Sequence, residues 1–405
     1  MMIMQKQSEL NMGTLGHVDH GKTTLAYAIS HVWTDIHSES IKRSMTIKLG
    51  YSDAVIRKCE AGGKATYTIE DKCKDGSESA PVRRISLLDA PGHETLMATA
   101  IAGSSIIDSA LFVISSTEQV PMPQTREHLM IINALGISRV IIVQTKIDIV
   151  GKEMAKKNYE QIKAFIKGST IEKAPIIPVM ANKGINIDSL LEEIATMKLP
   201  ERDTKSDPIM YVARSFDVNR PGTPIKDLVG GVIGGSIIRG EFKIGDEIEI
   251  RPGMNVSKDK GKKETYEPIL TRITSLGAAN EQLETAIAGG LIAVGTDADP
   301  ALAKADGLVG QVAGKAGRLP PTVNEITMEY HSLERSDLPK QSFRQAEPLI
   351  LGVGTGTAVG YIKATKKNKL EVTLNHAACI DKKAKISVMR NFSQRWRLAG
   401  YGTLV

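Results

Sequence analysis

The amino-acid sequence predicts an α/β P-loop domain, with a mostly parallel sheet and helices on both faces, followed by two β-barrel domains. Three features indicate this class: a phosphate-loop pattern near the N-terminus, apolar runs alternating with helical patterns after it, and glycine-rich short strands in the C-terminal half. With 405 residues, the chain is long enough for several cores. We expect domains at residues 1–203, 204–320 and 321–405, divided by a Pro- and charge-rich linker at Leu199–Pro208 and by the prolines of Leu319–Thr322.

The segment GHVDHGKT, Gly16–Thr23, fits the pattern G-x-x-x-x-G-K-[ST], in which glycines let consecutive backbone N–H groups surround phosphate oxygens. An alternating apolar run at Leu10–Leu15 precedes it, as a strand should, and Thr24–Trp33 follows with apolar residues at helical spacing. Lys22 is then expected between the β- and γ-phosphates of a nucleotide, and the Thr23 hydroxyl is expected on a bridging Mg²⁺.

A polar stretch without periodicity, Asp35–Lys48, follows the first helical pattern. A loop of that length beside a phosphate loop is usually functional. The hydroxyl of Thr46 is a candidate for reaching Mg²⁺ only when a γ-phosphate is present, as in nucleotide switches. Taken alone, Thr46 also fits a solvated loop threonine, so its assignment depends on the neighbouring motifs.

The segment RRISLLDAPGHE, Arg83–Glu94, indicates a buried strand that runs into the pattern D-x-x-G. Asp89 at the strand end is placed to hold the Mg²⁺ shell, and the Gly92 amide is placed to bond the γ-phosphate. His93 follows directly and is a candidate for orienting the attacking water. A surface histidine at a helix start fits the same spacing.

Short apolar runs at Ser109–Ser115, Val140–Val143 and Ile176–Val179 alternate with helical patterns. This alternation predicts βαβ units with ligands at the C-terminal ends of the strands. The second run leads into TKID, Thr145–Asp148. The Asp148 carboxylate can accept both N1–H and N2–H₂ of guanine, which adenine does not offer, so the motif favours a guanine nucleotide over ATP.

Two more groups complete the expected base site. Lys146 is expected to lay its aliphatic stem along the plane of the base. Met180, Ala181 and Asn182 follow the last strand, where a backbone N–H is placed to bond guanine O6. An isolated TKID tetrapeptide is weak evidence for a guanine site, but its position after the other two motifs makes the evidence specific.

Composition limits the function classes. Hydrophobic content of 41% and charged content of 24% are ordinary for a soluble protein, and the net charge of +6 is compatible with nucleic-acid contact. No apolar run approaches the ~20 residues of a membrane span, so no membrane partner is expected. Three cysteines cannot form a disulfide framework, and no signal-peptide pattern is present, so we expect the reducing cytoplasm.

The segment between Cys59 and Cys73 is similar in outline to a zinc knuckle. Such a knuckle needs paired C-x-x-C turns because tetrahedral Zn²⁺ takes four ligands, and Gly62 and Gly76 stand where the second cysteine of each pair would be. We therefore expect a metal-free hairpin near residues 59–76, with zinc as the less favoured alternative.

Basic residues gather at two places in the predicted barrels. One is Ser257–Lys263. The other comprises Lys363, Lys366, Lys367, Lys369, Arg390, Arg395 and Arg397. Either group fits a solvated face or contact with nucleic-acid phosphates.

The motifs GHVDHGKTT, Thr46 in KRSMTIK, DAPGHE and TKID resemble those of the translational GTPases. The segments Arg214–Thr223, Gly230–Ile250 and Arg395–Gly402 resemble the gamma subunits of archaeal and eukaryotic translation initiation factor two, and the resemblance extends from end to end. It implies a P-loop GTPase that carries methionylated initiator tRNA, joins alpha and beta subunits, works on the small ribosomal subunit, and hydrolyses GTP to GDP and phosphate.

The resemblance also assigns residues. His93 would be the catalytic, water-positioning residue, and Mg²⁺ would be held by Thr23, Thr46 and Asp89, with a second Mg²⁺ near Asp19 and Ser44. The GTP or GDP contacts would be Asp19, His20, Gly21, Lys22, Thr23, Thr24, Gly92, Thr145, Lys146, Asp148, Met180, Ala181 and Asn182.

The sequence departs from the family pattern at four places. Thr145 stands where the family usually has Asn, so we expect lower guanine affinity while Asp148 preserves specificity. Met180 replaces a serine that tightens the base loop, Ser44 replaces a glycine, and the zinc-knuckle cysteines are reduced to two. Two alternatives stay open: an elongation-type or selenocysteine-specific tRNA carrier, and a GTP-binding scaffold that hydrolyses nothing.

Overall fold

A computed structural model describes residues 6–34, 49–61, 64–92, 97–257, 264–335, 337–339 and 341–405 of the chain. The chain divides into two units, Met1–Ala100 with Ile107–Glu201, and Ile101–Ile106 with Arg202–Val405. Within the described residues, no helix combines the length and the apolar composition needed to cross a membrane.

The first unit is built on a seven-stranded sheet. Its strands are β1 (Leu10–Gly16), β2 (Gly50–Ala61), β3 (Lys64–Thr68), β4 (Ala80–Asp89), β5 (Ser109–Ser115), β6 (Arg139–Thr145) and β7 (Ile176–Pro178). They lie in the order β3-β2-β4-β1-β5-β6-β7. The strands from β4 to β7 in this order pair in parallel, whereas β2 runs antiparallel to both β3 and β4. The prediction of a mostly parallel sheet is confirmed.

Helices cover both faces of this sheet, as predicted. They are α1 (Lys22–Ser30), α3 (Pro123–Leu135), α4 (Lys152–Ile166) and α5 (Ile187–Thr196). A further helix, α2 (Met97–Gly103), belongs in part to each of the two units. Side chains of α1 and α5 pack in one apolar cluster with Leu10 and Met12 of β1. Side chains of α3 and α4 pack in a second cluster with Leu15 and Phe112. Successive strand residues thus face opposite cores, because side chains alternate along a strand.

Helix α1 begins two residues earlier than the apolar pattern indicated. Gly21 caps it with φ 84°, a left-handed conformation that glycine adopts without strain. The helix ends at Ser30, where His31 turns to φ 56° and its N–H bonds the Tyr27 carbonyl oxygen at 2.8 Å. The predicted last turn, up to Trp33, therefore lies outside the helix.

The second unit begins with a closed antiparallel barrel of six strands. They are β8 (Ile209–Phe216), β9 (Val232–Lys243), β10 (Glu247–Asn255), β11 (Tyr266–Ala278), β13 (Thr285–Thr296) and β14 (Val312–Lys315), and a short strand β12 (Glu281–Leu283) pairs antiparallel with the end of β11. Pairing of β10 with β11 closes the ring. Alternate side chains fill its interior, including those of Met210, Ile248 and Phe242.

A second closed barrel follows. Its strands are β15 (Thr322–Ser332), β16 (Pro348–Val353), β17 (Gly356–Lys366), β18 (Lys369–Cys379), β19 (Lys385–Phe392) and β20 (Arg395–Leu404). They lie in the order β15-β18-β17-β16-β19-β20, and β20 pairs back to β15. The prediction of two β-barrels is confirmed.

Polar contacts join the two barrels. The Arg239 guanidinium of β9 is paired with the Asp381 carboxylate, and these side chains are 22% and 9% exposed. The Thr355 hydroxyl donates to the Val212 carbonyl oxygen at 2.5 Å across the same boundary. Because each partner lies in a different barrel, these contacts tie the two rings to each other.

The hairpin expected near residues 59–76 is present, but its cysteines are not free. Cys59 on β2 and Cys73 form a disulfide with a Cα–Cα distance of 5.8 Å. A turn after β3 brings Cys73 back, with the Gly76 N–H bonded to the Cys73 carbonyl oxygen at 2.9 Å. The cysteine count gave no reason to expect this bond, because the two positions meet only through the folding of the hairpin.

Reduction of this disulfide should destabilise the β2–β3 hairpin. The bond spans 14 positions, and closing a loop of about 15 residues contributes about 3 kcal/mol, chiefly by restricting the unfolded chain. Hydrogen exchange of peptides from residues 50–89, measured across a urea series, should shift to lower urea when a reductant is added. A Cys59→Ser/Cys73→Ser double variant should not respond to the reductant, and an unchanged wild-type profile would contradict a stabilising role for the bond.

Candidate nucleotide-binding site

The phosphate-loop segment turns sharply between β1 and α1. Gly16 has φ 149° and no room for a side chain, since a Cβ would lie 2.3 Å from the Val113 carbonyl oxygen. Asp19 and Gly21 also have positive φ, at 61° and 84°. The loop therefore leads directly into the first turn of α1, where free N–H groups and the helix dipole attract an anion.

Lys22 is buried at the start of α1 and donates to the His17 carbonyl oxygen at 2.7 Å. Burial lowers the pKa of its ammonium to about 8, and the carboxylates of Asp89 and Asp19 oppose that shift. A buried cation is costly unless it is paired, so a phosphate group would stabilise Lys22 in this position.

Gly92 lies against the phosphate loop. A Cβ at Gly92 would be 2.3 Å from Lys22 Nζ, 2.8 Å from the Val18 nitrogen and 2.9 Å from the Gly16 carbonyl oxygen. The D-x-x-G glycine and the lysine of the phosphate loop are therefore in contact, and no side chain fits between them. The two motifs, 70 positions apart between Lys22 and Gly92, form one site.

Asp89 is fully buried and accepts hydrogen bonds from three threonine hydroxyls. Thr14 donates to Oδ1 at 2.6 Å, and Thr23 and Thr34 donate to Oδ2 at 2.6 and 2.9 Å. Since the Thr23 proton goes to Asp89, a lone pair on Thr23 Oγ1 remains for a cation. Hard oxygen ligands of this kind suit Mg²⁺ beside phosphates, so these residues fit that ion.

The sequence reasoning missed Thr14 and Thr34. Thr14 and Asn11 are the polar residues of strand β1, and both are buried, so a polar residue in this mostly apolar run is a signal that could have singled out Thr14. Thr34 lies beyond the end of α1 without any local pattern. Its contact with Asp89 spans 55 positions, so only the fold reveals it.

Three predicted residues lie outside the part of the chain that the structure describes. They are Ser44 and Thr46 in the polar stretch, and His93 after the D-x-x-G motif. Their assignments stay predictions.

A pocket of about 220 Å³ opens at the C-terminal edge of the sheet. Its lining comprises Gly21, Thr24, Thr145, Lys146, Asp148, Ile149, Ala181 and Asn182. The pocket thus joins the phosphate loop, the TKID segment and the loop after β7. Met180 is not among its lining residues; its backbone N–H instead bonds the Ile185 carbonyl oxygen at 3.2 Å.

Asp148 presents its carboxylate at the edge of this pocket, with its side chain 16% exposed. Lys183 Nζ lies 3.6 Å from Asp148 Oδ2, a neighbour that the sequence did not predict. Lys146 adopts φ 57°, which places it in the left-handed region between β6 and Asp148.

Thr145 directs its hydroxyl to the phosphate loop. Oγ1 donates to the His20 carbonyl oxygen at 2.7 Å and lies 3.5 Å from the Ile114 carbonyl oxygen. The residue is buried, so this bond is shielded from water. Thr145 therefore couples the TKID segment to the phosphate loop.

Two buried histidines lie at the phosphate loop, one within it and one on α3. His20 Nδ1 is 3.1 Å from the Val113 carbonyl oxygen and Nε2 is 3.1 Å from Glu118 Oε2. Burial lowers the pKa of His20, although these hydrogen bonds oppose the shift. His128 of α3 is fully buried, and neither ring nitrogen finds a hydrogen-bond partner among the described residues. Its pKa is held well below 6.5 by burial, and then by the charges of Lys22, His20 and His17.

The basic residues of the barrels are not a single patch. Arg390 is buried and bonds Glu347 through Nε at 2.7 Å, so it serves the barrel rather than a ligand. Lys363 lies 2.8 Å from Glu325. Lys367 and Lys369 are exposed at the turn between β17 and β18. Of the segment 257–263, only Ser257 is described.

Three stretches of the chain match known protein families. Residues 7–200 match the family described as elongation factor Tu GTP binding domain, and residues 230–303 match elongation factor Tu domain 2. Residues 324–404 match the family described as initiation factor eIF2 gamma, C terminal.

Two relatives match this chain along nearly its full length. The chain is 50% identical over 412 residues to translation initiation factor 2 subunit gamma of Methanococcus vannielii, covering 100% of both chains. It is 48% identical over 406 residues to the same subunit of Methanocaldococcus jannaschii, covering 98% of both.

Solved structures share the fold. A bacterial selenocysteine-specific elongation factor EF-Sec superposes with a TM-score of 0.74 at 24% identity, covering 98% of this chain and 58% of that one. Elongation factor SelB of Methanococcus maripaludis, in complex with the GTP analogue GppNHp, superposes with a TM-score of 0.73 at 22% identity, covering 99% of this chain and 79% of that one.

Removing the Thr145 hydroxyl should weaken the binding of GDP and GTP alike. In Thr145→Val the bond to the His20 carbonyl oxygen is lost, and one neutral hydrogen bond corresponds to about fivefold in affinity. Calorimetric titration should show this loss with guanine selectivity over adenine unchanged, because Asp148 remains. Thr145→Ser, which keeps the hydroxyl, should bind like the wild type. Loss of selectivity in Thr145→Val would instead indicate that Thr145 contacts the base.

Acid should destabilise the first unit through His128. Because its folded pKa is depressed, the unfolded chain binds the proton first, and stability falls as the pH drops below 6.5. The loss of unfolding free energy approaches about 1.4 kcal/mol for each pH unit. Urea unfolding at pH 7.5 and 5.5 should show a smaller loss for His128→Leu than for the wild type. Equal losses of unfolding free energy in both proteins would show that protonation of His128 does not destabilise the folded protein.

Proposed function

Because the chain belongs to the family of translation initiation factor 2 gamma subunits, we propose that it carries methionylated initiator tRNA to the small ribosomal subunit under the control of GTP. It is a translational GTPase. One observation carries the proposal: Lys22 and Thr23 of the phosphate loop lie against Gly92 and Asp89. The chain also matches these subunits along its full length.

In this proposal the phosphate loop holds the nucleotide phosphates, and Lys22 balances their charge. Thr23, Thr46 and Asp89 would hold Mg²⁺, which when bound neutralises charge on the phosphate oxygens. Asp19 and Ser44 would hold a second Mg²⁺. His93 orients the water that attacks the γ-phosphate.

Guanine is read at the pocket beside the phosphate loop. Asp148 accepts the N1–H and N2–H₂ groups, Lys146 lies along the base, and a backbone N–H of the Met180–Asn182 segment bonds O6. Thr145 supports this site indirectly, since its hydroxyl holds the His20 carbonyl oxygen. Affinity therefore depends on Thr145, whereas the choice of base depends on Asp148.

The nucleotide acts by shifting populations. GTP and GDP differ in the γ-phosphate, so the segments that contact that group are ordered by one nucleotide and released by the other. The affinity for initiator tRNA then follows the nucleotide, and hydrolysis of GTP triggers release.

The proposed partners are the alpha and beta subunits of the same factor, together with initiator tRNA and the small ribosomal subunit. The site of action is the cytoplasm. Zinc is not part of the proposal, because the sulfurs of Cys59 and Cys73 are bonded to each other and offer no thiolate.

Two alternatives make different predictions. An elongation-type or selenocysteine-specific carrier draws on the fold shared with SelB and EF-Sec, but those chains are 22% and 24% identical, against 50% for the initiation factor relative. A scaffold that binds GTP without hydrolysing it would show no ribosome-stimulated phosphate release in wild type or in His93→Ala.

Filter retention of charged initiator tRNA tests the carrier function. The complex of this chain with its alpha and beta partners should retain initiator tRNA more strongly with GTP than with GDP, and more strongly than elongator tRNA. Asp148→Asn should lose the response to GTP and recover it with xanthosine triphosphate, since an amide N–H can donate to the 2-oxo group of xanthine.

Equal retention with GTP and GDP would remove the carrier function. A preference for elongator or selenocysteine tRNA would favour the elongation-type alternative. Failure of xanthosine triphosphate to rescue Asp148→Asn would show that Asp148 does not read the base.

A further inference from the structure

We propose that Thr34 is a positioning residue for magnesium at the nucleotide site, acting through Asp89. The proposal rests on the nucleotide-binding function proposed above. Thr34 is buried and donates its hydroxyl proton to Asp89 Oδ2 at 2.9 Å. No phosphate-binding or base-binding motif of the sequence includes this residue.

The carboxylate of Asp89 is held on both oxygens. Thr14 donates to Oδ1, while Thr23 and Thr34 both donate to Oδ2. A carboxylate oxygen has two lone-pair directions in its plane, and two donors on Oδ2 define how the carboxylate is turned about its bond to Cβ. Thr34 therefore fixes the orientation of the same oxygen that receives the Thr23 proton.

That orientation matters for the metal. While the Thr23 O–H donates to Asp89 Oδ2, the lone pairs of Thr23 Oγ1 point away from that carboxylate and are directed for a cation. Without Thr34, the carboxylate has one donor on each oxygen, and rotation about the Cβ–Cγ bond exchanges them at little cost. The Thr23 lone pair and the acceptor sites of Asp89 are then less well prepared for Mg²⁺ and its waters.

Gly50 leaves the room that Thr34 needs beside Asp89. A Cβ at Gly50 would lie 2.6 Å from Thr34 Cβ and 2.9 Å from the Thr34 carbonyl oxygen. Gly50 is also the residue of β2 that pairs directly with Asp89 of β4. The close approach of Thr34 to Asp89 is therefore built into the strand pairing, and Gly50 is the residue that permits it.

The base pocket does not involve Thr34. Its lining residues come from the phosphate loop, the TKID segment and the loop after β7. Loss of the Thr34 hydroxyl should therefore change the response to Mg²⁺ and leave the magnesium-free affinity for guanine nucleotides as it was. A purely structural role would change both together.

Dissociation of a fluorescent GDP analogue, measured against free Mg²⁺ concentration, tests the proposal. Thr34→Val keeps the shape of the side chain and removes the hydroxyl. It should raise the Mg²⁺ concentration for half-maximal slowing of dissociation by about tenfold, the lower end of what a hydrogen bond to a charged group contributes. The dissociation rate in excess EDTA should stay within about twofold of the wild type, because Thr34 does not line the base pocket and a change away from it shifts the free energy by only about 0.5 kcal/mol.

Three further variants complete the test. Thr34→Ser should restore the wild-type Mg²⁺ response, and Gly50→Ala should shift it in the direction of Thr34→Val while leaving the Thr34 hydroxyl in the chain. Thr125→Val is the matched control, because Thr125 is buried in the same unit and its hydroxyl has no hydrogen-bond partner among the described residues. It should respond to Mg²⁺ like the wild type.

The proposal is overturned if Thr34→Val has the wild-type Mg²⁺ requirement, or if its rates rise equally with and without Mg²⁺. It is also overturned if Thr125→Val shows the same shift. Failure of the wild type itself to bind the GDP analogue, or to respond to Mg²⁺, would instead count against the proposed nucleotide-binding function, so the two failures are distinguishable.

Discussion

The first unit depends on one buried carboxylate. Asp89 lies at the end of β4 with no exposed surface, where an unpaired charge would cost several kcal/mol. Hydroxyls from β1, from the first helix and from the segment beyond that helix satisfy it. Each of these elements must therefore be in place before the carboxylate is stable, and this requirement fixes the ligand site and the fold together.

A second link of the same kind joins the two ends of the nucleotide site. The Thr145 hydroxyl at the end of β6 reaches the His20 carbonyl oxygen in the phosphate loop. The phosphate and base segments are thus coupled through a buried hydrogen bond rather than through a ligand alone.

The sequence predicted the features that depend on local order. Strand β5 was predicted with its observed bounds, since seven apolar or small residues between turn signals leave little choice, and the two barrels followed from short strands punctuated by glycines. The features that it missed depend on distant contacts. The roles of Thr34, Lys183 and the Cys59–Cys73 pair arise from residues that meet only when strands and turns are assembled. The start of α1 was misplaced because the left-handed Gly21, rather than the apolar pattern, sets it.

The ion pair between Arg239 and Asp381 bears on how the C-terminal half can be divided. Both groups are largely shielded from water, and each belongs to a different barrel. Truncating the chain at the prolines near residue 320 would leave the Arg239 guanidinium of the first barrel without its partner carboxylate. Desolvated charges without a counterion are costly. Separating the two barrels at this point would therefore break a largely buried ion pair, so the contact favours a fixed arrangement of one barrel against the other.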